Sequence, residues 1–140
     1  MNERFDAVIL GMGPGGEAVA SRLIAAGRRI AIIERELIGG ECAYWACIPS
    51  KTLLRPAEAA GAIDRAAGVA GATLDWPATR AHRDDMIRHL DDSRQVKRYR
   101  DKGVTILKAS GRLAGPGRVE VDGRTLGPRR HRHRFHCRRP

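Results

Sequence analysis

The segment from Phe5 to Glu36 constrains the fold most, because it is patterned as strand, turn, helix, turn and strand. Phe5–Leu10 is a short apolar run next to a glycine, which is typical of a buried parallel strand. The helix that follows has apolar residues at i, i+4 and i+7 and then a glycine stop: Val19, Leu23, Ala26 and Gly27. The second strand, RIAIIE, ends on Glu34. This order predicts an α/β fold around a central parallel sheet.

Three glycines, Gly11, Gly13 and Gly16, form a G-x-G-x-x-G pattern between the first strand and the helix. The first permits a tight turn, the second lets the backbone approach a pyrophosphate, and the third allows close helix–strand packing. The helix N-terminus offers free N–H groups to the phosphates. Glu34 lies at the end of the second strand, where a carboxylate can accept hydrogen bonds from ribose hydroxyls. Together these features predict dinucleotide binding and leave NAD and FAD as alternatives.

Two of the three cysteines, Cys42 and Cys47, lie close together in the stretch GGECAYWACIPSK. Zinc would need a second ligand pair, a thioredoxin-type site would be C-x-x-C, and two inert buried thiols are the third alternative. Pro49 indicates that a helix begins near it, because proline favours the first helical position. Cys47 would then lie at the positive end of that helix, with Lys51 one turn further on. Both features favour a reactive thiolate.

The same stretch, Gly39–Lys51, resembles the redox-active segment of the class I flavoprotein disulfide reductases, whose usual pattern is G-G-T-C-x-x-x-x-C-I-P-S-K. This family of pyridine nucleotide–disulfide oxidoreductases includes dihydrolipoamide dehydrogenase and mercuric reductase. The resemblance runs from about Phe5 to Asp122 and implies a Rossmann-like FAD-binding domain with a small β-meander. It also implies FAD as cofactor, NAD or NADP in the full-length enzyme, a small disulfide or dithiol substrate, and a homodimer. Only the N-terminal portion of such an enzyme is matched, so the domain is expected to be incomplete and inactive alone.

The resemblance also implies a role for each matching residue. Cys42 would be the interchange thiol that attacks the substrate disulfide, and Cys47 would lie against the flavin. Lys51 would stabilise the reduced flavin. The remaining cofactor contacts implied are, in chain order, Gly11, Gly13, Gly16, Glu34, Gly39, Gly40, the backbone of Cys42, and Gly111 at the adenine. The chemistry implied is a two-electron relay between a nicotinamide, the flavin and the dithiol.

Two features depart from the family pattern. Glu41 stands where the family usually has a threonine, and its carboxylate would face phosphates. The residues between the cysteines, Ala43–Ala46 (AYWA), are bulkier than the usual LNVG. Both changes suggest a divergent subfamily, and neither of them disturbs the cysteine pair.

The net charge of +10 raises the question of nucleic-acid binding, but its location argues against it. Residues 124–140 carry seven Arg and no acid, whereas residues 1–123 carry 19 Lys and Arg against 16 Asp and Glu. The basic character therefore belongs to the tail, and nucleic acid is not an expected partner of the domain. No apolar run is long enough for a membrane span, and the N-terminus does not read as a secretory signal. A cytoplasmic protein without a metal site is expected.

The rest of the chain is less informative. Residues 61–76 are rich in Ala and Gly and predict a loop or weak helix. Pro77–Lys102 predicts one charged helix, with Met86, Leu90 and Val96 as its apolar positions, and with His82 and His89 on its surface. Two short strands follow, VTILKA and RVEV, and then Asp122-Gly123 as a hairpin turn.

Domain boundaries are predicted at 1–123 for the FAD-binding domain and 124–140 for a disordered tail. Residues from about Leu126 onward are expected to be out of frame, because the resemblance ends there and the composition turns to Arg and His. Reading one nucleotide later permits an apolar strand of the kind the family has next. A basic nucleic-acid arm is the alternative. A non-enzymatic FAD-binding or thiol redox module is the alternative to a reductase for the domain itself.

Overall fold

The computed structural model describes residues 3–69 and 71–128 as two sheets with helices between the strands. The strands are β1 (Glu3–Phe5), β2 (Ala7–Leu10), β3 (Ile30–Ile33), β4 (Thr105–Leu107), β5 (Gly111–Leu113), β6 (Val119–Val121) and β7 (Arg124–Pro128). The helices are α1 (Pro14–Ala25), α2 (Gly40–Tyr44), α3 (Cys47–Asp64), α4 (Trp76–Met86) and α5 (Ser93–Arg100). Within these residues no helix is both long and apolar enough to cross a bilayer.

Strands β2, β3 and β4 form a parallel sheet in that order, as the α/β prediction requires. All four residues of β3 are buried because this strand lies in the middle and is covered on both faces. The predicted single strand Phe5–Leu10 is instead two strands. The break is at Asp6, which exchanges hydrogen bonds with the backbone of Arg29.

The apolar face predicted for helix α1 is confirmed at one of its three positions. Leu23 packs against the core, but Val19 is 49% exposed and Ala26 is exposed, and Ala20 is fully buried instead. The reason is Gly16, which presses against the Gly11 carbonyl and so turns the i, i+4 and i+8 positions toward the sheet. Ala20 and Ile24 are those positions.

Helix α3 begins at Cys47, two residues before the predicted start at Pro49. A proline fits there because the first N–H groups of a helix have no partner within the helix. The helix continues through Pro56 to Asp64, so the first part of the segment 61–76, predicted as a loop or weak helix, is helical.

The single helix predicted over Pro77–Lys102 is wrong. Helices α4 and α5 are separated by three consecutive non-glycine residues with positive φ, at 53°, 49° and 62°: Arg88, His89 and Leu90. The chain turns there because Ile87 is buried and Asp92 makes contacts with distant segments. Of the three apolar positions predicted for this helix, Val96 packs against the core, whereas Met86 and Leu90 are largely exposed. His82 and His89 are on the surface as predicted.

Strands β5, β6 and β7 form an antiparallel meander, and β7 also pairs in parallel with β1. The hairpin at Asp122-Gly123 is confirmed, with φ of 46° and 69° at the two turn residues. The domain boundary predicted at residue 123 is corrected to include Arg124–Pro128, because β7 is paired on both sides and Leu126 is buried. The predicted tail from 129 to 140 lies outside the described residues.

Candidate functional site

A cleft of about 710 Å³ opens at the carboxyl ends of β2, β3 and β4. Open parallel α/β sheets bind ligands at this edge. Seven residues predicted as site residues line it: Gly11, Gly13, Glu34, Gly40, Cys42, Cys47 and Gly111. The tertiary fold therefore brings the glycine turn, the acidic strand end and the cysteine pair to one surface.

The glycine turn is closely packed beneath the cleft and open toward it. A Cβ on Gly16 would lie 2.2 Å from the Gly11 carbonyl oxygen, so only glycine fits against the strand. A Cβ on Gly40 would lie 2.7 Å from the Gly13 Cα, because the loop before α2 crosses the turn here. A Cβ on Gly13 itself would meet no atom within 4 Å. The turn thus presents bare backbone to the cleft, as phosphate binding requires.

Glu34 is buried, and its carboxylate organises the floor of the cleft. It accepts hydrogen bonds from the Met12 N–H at 2.7 Å and from the Glu36 N–H at 2.8 Å. The Met12 carbonyl in turn accepts from the Gly39 N–H at 2.8 Å. Gly39 therefore contributes to the site through its backbone hydrogen bond to Met12. Met12 was missed from the sequence because its contribution is entirely backbone, which its residue type does not reveal.

A second group of residues that the sequence analysis missed holds the loop between β3 and α2. The Asp92 carboxylate accepts from the Ile38 N–H at 2.7 Å and forms a 2.7 Å ion pair with Lys108. Lys108 also donates to the Glu36 carbonyl. The contacts with Ile38 and Glu36 span 54 and 72 residues, and the ion pair between Asp92 and Lys108 spans 16. No local sequence signal shows that these residues meet.

The thiols of Cys42 and Cys47 are both free, and both residues line the cleft. Cys42 lies in the short helix α2, and Cys47 is the first residue of α3. The hydrogen bond to Cys47 raises the pKa of Cys42, as do burial and repulsion from Cys47 and Glu17, while the Lys51 charge lowers it. Two free thiols that line the same cleft, and whose titrations are linked, are candidates for a disulfide.

The remaining predicted residues lie around this pair. Lys51 lines a neighbouring groove between α3 and α4, and its charge still acts on Cys42. Glu41 is exposed and lines the cleft beside Cys42, so its departure from the family pattern falls in the site itself. The individual roles given to these residues stay predictions.

The two neighbours of Cys42 are expected to shift its titration in opposite directions. In Cys47→Ala the pH midpoint for alkylation of Cys42 should fall, because the group that raises its pKa most is gone. In Lys51→Met the midpoint should rise, because the charge that lowers the pKa is gone. Iodoacetamide labelling followed by peptide mass spectrometry across a pH series measures both. Arg55→Met, which removes a cation on the same helix, is the control and should leave the midpoint in place. Shifts in the same direction would contradict the assignment.

Comparison with known proteins decides the family. Residues 5–129 match the family model described as pyridine nucleotide-disulphide oxidoreductase. The chain belongs to this family. The pyridine nucleotide-disulphide oxidoreductases that it resembles include the dihydrolipoyl dehydrogenase of Chlamydia muridarum, 35% identical over 129 residues. That alignment covers 89% of this chain and 28% of the relative. The dihydrolipoyl dehydrogenase of Rhizobium etli is 52% identical over 58 residues, which is 41% of this chain and 12% of that protein.

A solved structure supports the fold independently. A HOCl-induced flavoprotein disulfide reductase of Escherichia coli, RclA, determined as its Cu(II) complex, superposes with a TM-score of 0.68 at 22% identity. The match covers 87% of this chain and 26% of that one. The chain therefore spans about a quarter of the length of these longer proteins. It corresponds to their N-terminal part.

Proposed function

We propose that this chain is the FAD-binding, dithiol-bearing part of an oxidoreductase that passes electrons between NAD(P)H, a flavin and a small disulfide substrate. The observation that carries the proposal is the single cleft that joins the glycine turn, Glu34 and the Cys42–Cys47 pair. A dinucleotide site alone would need only the first two. The dithiol adds a reactive centre to the same cleft.

The residues of the cleft fit FAD. Gly11, Gly13 and the start of α1 present backbone without side chains, which suits a pyrophosphate. Glu34 still has lone pairs for ribose hydroxyls beside its two backbone bonds. A Cβ on Gly111 would lie 2.8 Å from a Leu10 methyl, so glycine at this position keeps the cleft free of a further side chain beside Leu10. Bound FAD would supply two-electron transfer between a nicotinamide and the dithiol.

The cysteine pair would carry the exchange with substrate. The Cys42 thiolate attacks one sulfur of the substrate disulfide, and a mixed disulfide forms while the other substrate sulfur leaves as a thiolate and takes a proton. The Cys47 thiolate then attacks Cys42, which forms the Cys42–Cys47 disulfide and releases the second substrate thiol. The substrate gains two electrons and two protons, and the dithiol loses them. Lys51 assists by favouring the Cys42 thiolate.

Electron counting on the FAD-reconstituted chain tests both halves of the proposal. With the cysteine pair oxidised, dithionite titration should consume four electrons per FAD in the parent and two in Cys42→Ser, because a lone thiol stores none. Mass spectrometry of the oxidised parent should show a Cys42–Cys47 cross-link. Equal electron counts in the parent and in Cys42→Ser would contradict the redox role of the dithiol, and the chain would then be only an FAD-binding module. Failure of the parent to bind FAD would overturn the proposal entirely.

Glu34 is expected to be important for FAD retention. Glu34→Ala removes the acceptor of two backbone N–H groups and the ribose partner, which should weaken binding by about 1–3 kcal/mol. Equilibrium titration of FAD measures the change, and circular dichroism shows whether the variant is folded. Glu58→Ala, which removes an exposed carboxylate on α3, is the control. Unchanged FAD affinity in a folded Glu34→Ala protein would contradict the role of Glu34 in FAD binding.

A further inference from the structure

Trp45 is a large aromatic side chain on the wall of the cleft beside the dithiol. It lines the cleft together with Cys42, Ala46 and Cys47, and it is 45% exposed. Aromatic side chains are a characteristic lining of concave sites that bind flat organic ligands. Exposed indole on a concave wall therefore indicates a surface that a ligand covers.

The indole packs against a fixed aromatic neighbour. Its ring lies 5.8 Å from the ring of Tyr44 at a tilt of 55°. Tyr44 is buried, and its hydroxyl donates to the Ile38 carbonyl at 3.3 Å. The backbone of Trp45 is also fixed, because its backbone N–H donates to the Glu41 carbonyl at 2.8 Å. A tilted contact on a fixed ring is a favourable aromatic geometry, so the Trp45 ring is restrained on one side while it stays open to the cleft.

Two parts of the cleft lining differ in chemistry. Gly11 and Gly13 offer bare backbone, which suits phosphates, whereas Cys42, Cys47 and Trp45 offer two thiols and an indole. A planar ring that exchanges electrons with the dithiol must lie beside the two thiols, and therefore within reach of Trp45. We propose that Trp45 stacks on the isoalloxazine ring and makes the site selective for flavins over adenine nucleotides that lack this ring. This inference rests on the proposed function.

Fluorescence of bound flavin, measured with the cysteine pair oxidised throughout, tests the contact directly. An indole in contact with excited flavin quenches it by electron transfer, so the parent complex should be dim. Trp45→Leu should be several-fold brighter and should bind FAD roughly two- to tenfold more weakly, the range for one aromatic pair. Trp45→Phe should be bright as well but should keep most of the affinity. ADP, which has no flavin ring, should bind Trp45→Leu and the parent equally.

Trp76 provides the matched control, because it is the second tryptophan of the chain and lies 57% exposed at the start of α4. Trp76→Leu should remain dim and bind FAD normally. Unchanged brightness and affinity in Trp45→Leu would overturn this inference and leave the proposed function intact. An equal loss of FAD and ADP affinity would also overturn it, because Trp45 would then act on the shape of the whole cleft. A parent that binds no FAD would overturn the proposed function and this inference with it.

Discussion

Gly16→Ala is expected to destabilise the fold by roughly 3 kcal/mol, a large effect for the addition of one methyl group. The new Cβ would lie 2.2 Å from the Gly11 carbonyl oxygen and 3.1 Å from its carbon, both of which are backbone atoms. Backbone cannot rotate away as a flexible side chain can, so α1 must move off the sheet. The urea midpoint of unfolding, followed by circular dichroism, measures the loss. FAD binding should fall as well, because the turn before α1 moves with the helix.

Gly15→Ala is the matched control, since it makes the same change one residue earlier in the same helix. A Cβ on Gly15 would meet no atom within 4 Å. Alanine is also the better helix former, so this variant should be as stable as the parent or more stable by up to about 1 kcal/mol. Equal destabilisation by the two substitutions would show that the close contact of Gly16 is not what limits stability.

Asp92→Ala is expected to cost about 2–3 kcal/mol of stability. The substitution leaves the Ile38 N–H without its acceptor and leaves the part-buried Lys108 ammonium without its carboxylate, with only the Glu36 carbonyl as a remaining acceptor. The loop that carries Glu36 and Gly39 then loses its anchor, so FAD affinity should fall together with stability. Urea unfolding and FAD titration on the same preparation measure both effects.

Asp101→Ala separates this effect from the loss of any ion pair. Asp101 pairs with Lys97 at the same 2.7 Å distance as the Asp92–Lys108 pair, but both of its side chains are largely exposed. Exposed pairs of this kind contribute about 0–1 kcal/mol. Asp92→Asn should lie between the two alanine variants, because the amide oxygen can still accept from Ile38. A stable Asp92→Ala protein with normal FAD affinity would contradict the proposed anchoring role.

Much of the candidate site could be predicted from the sequence because its residues belong to short local patterns. The G-x-G-x-x-G turn, the acid that ends β3 and the cysteine segment are each short patterns whose spacing carries a physical requirement. The hairpin at Asp122-Gly123 could be predicted for the same reason. A turn with positive φ at two successive residues favours an Asp-Gly pair. The sequence by itself therefore determined the α/β class and the family, and it predicted seven of the residues that line the cleft.

What only the tertiary structure decided depends on contacts between distant segments. The face of α1 that is buried follows from the contact of Gly16 with Gly11, which the hydrophobic period alone cannot orient. The interruption between α4 and α5 contains no glycine or proline that would predict it from the sequence. It forms because the Asp92 carboxylate accepts a hydrogen bond from the Ile38 N–H in a distant loop. Strand β7 was missed because its residues, Arg124–Pro128, are not a clear apolar pattern, and its pairing with β1 spans almost the whole described chain. Local patterns specify turns and reactive residues, whereas long-range hydrogen bonds and packing decide which faces are buried and where helices end.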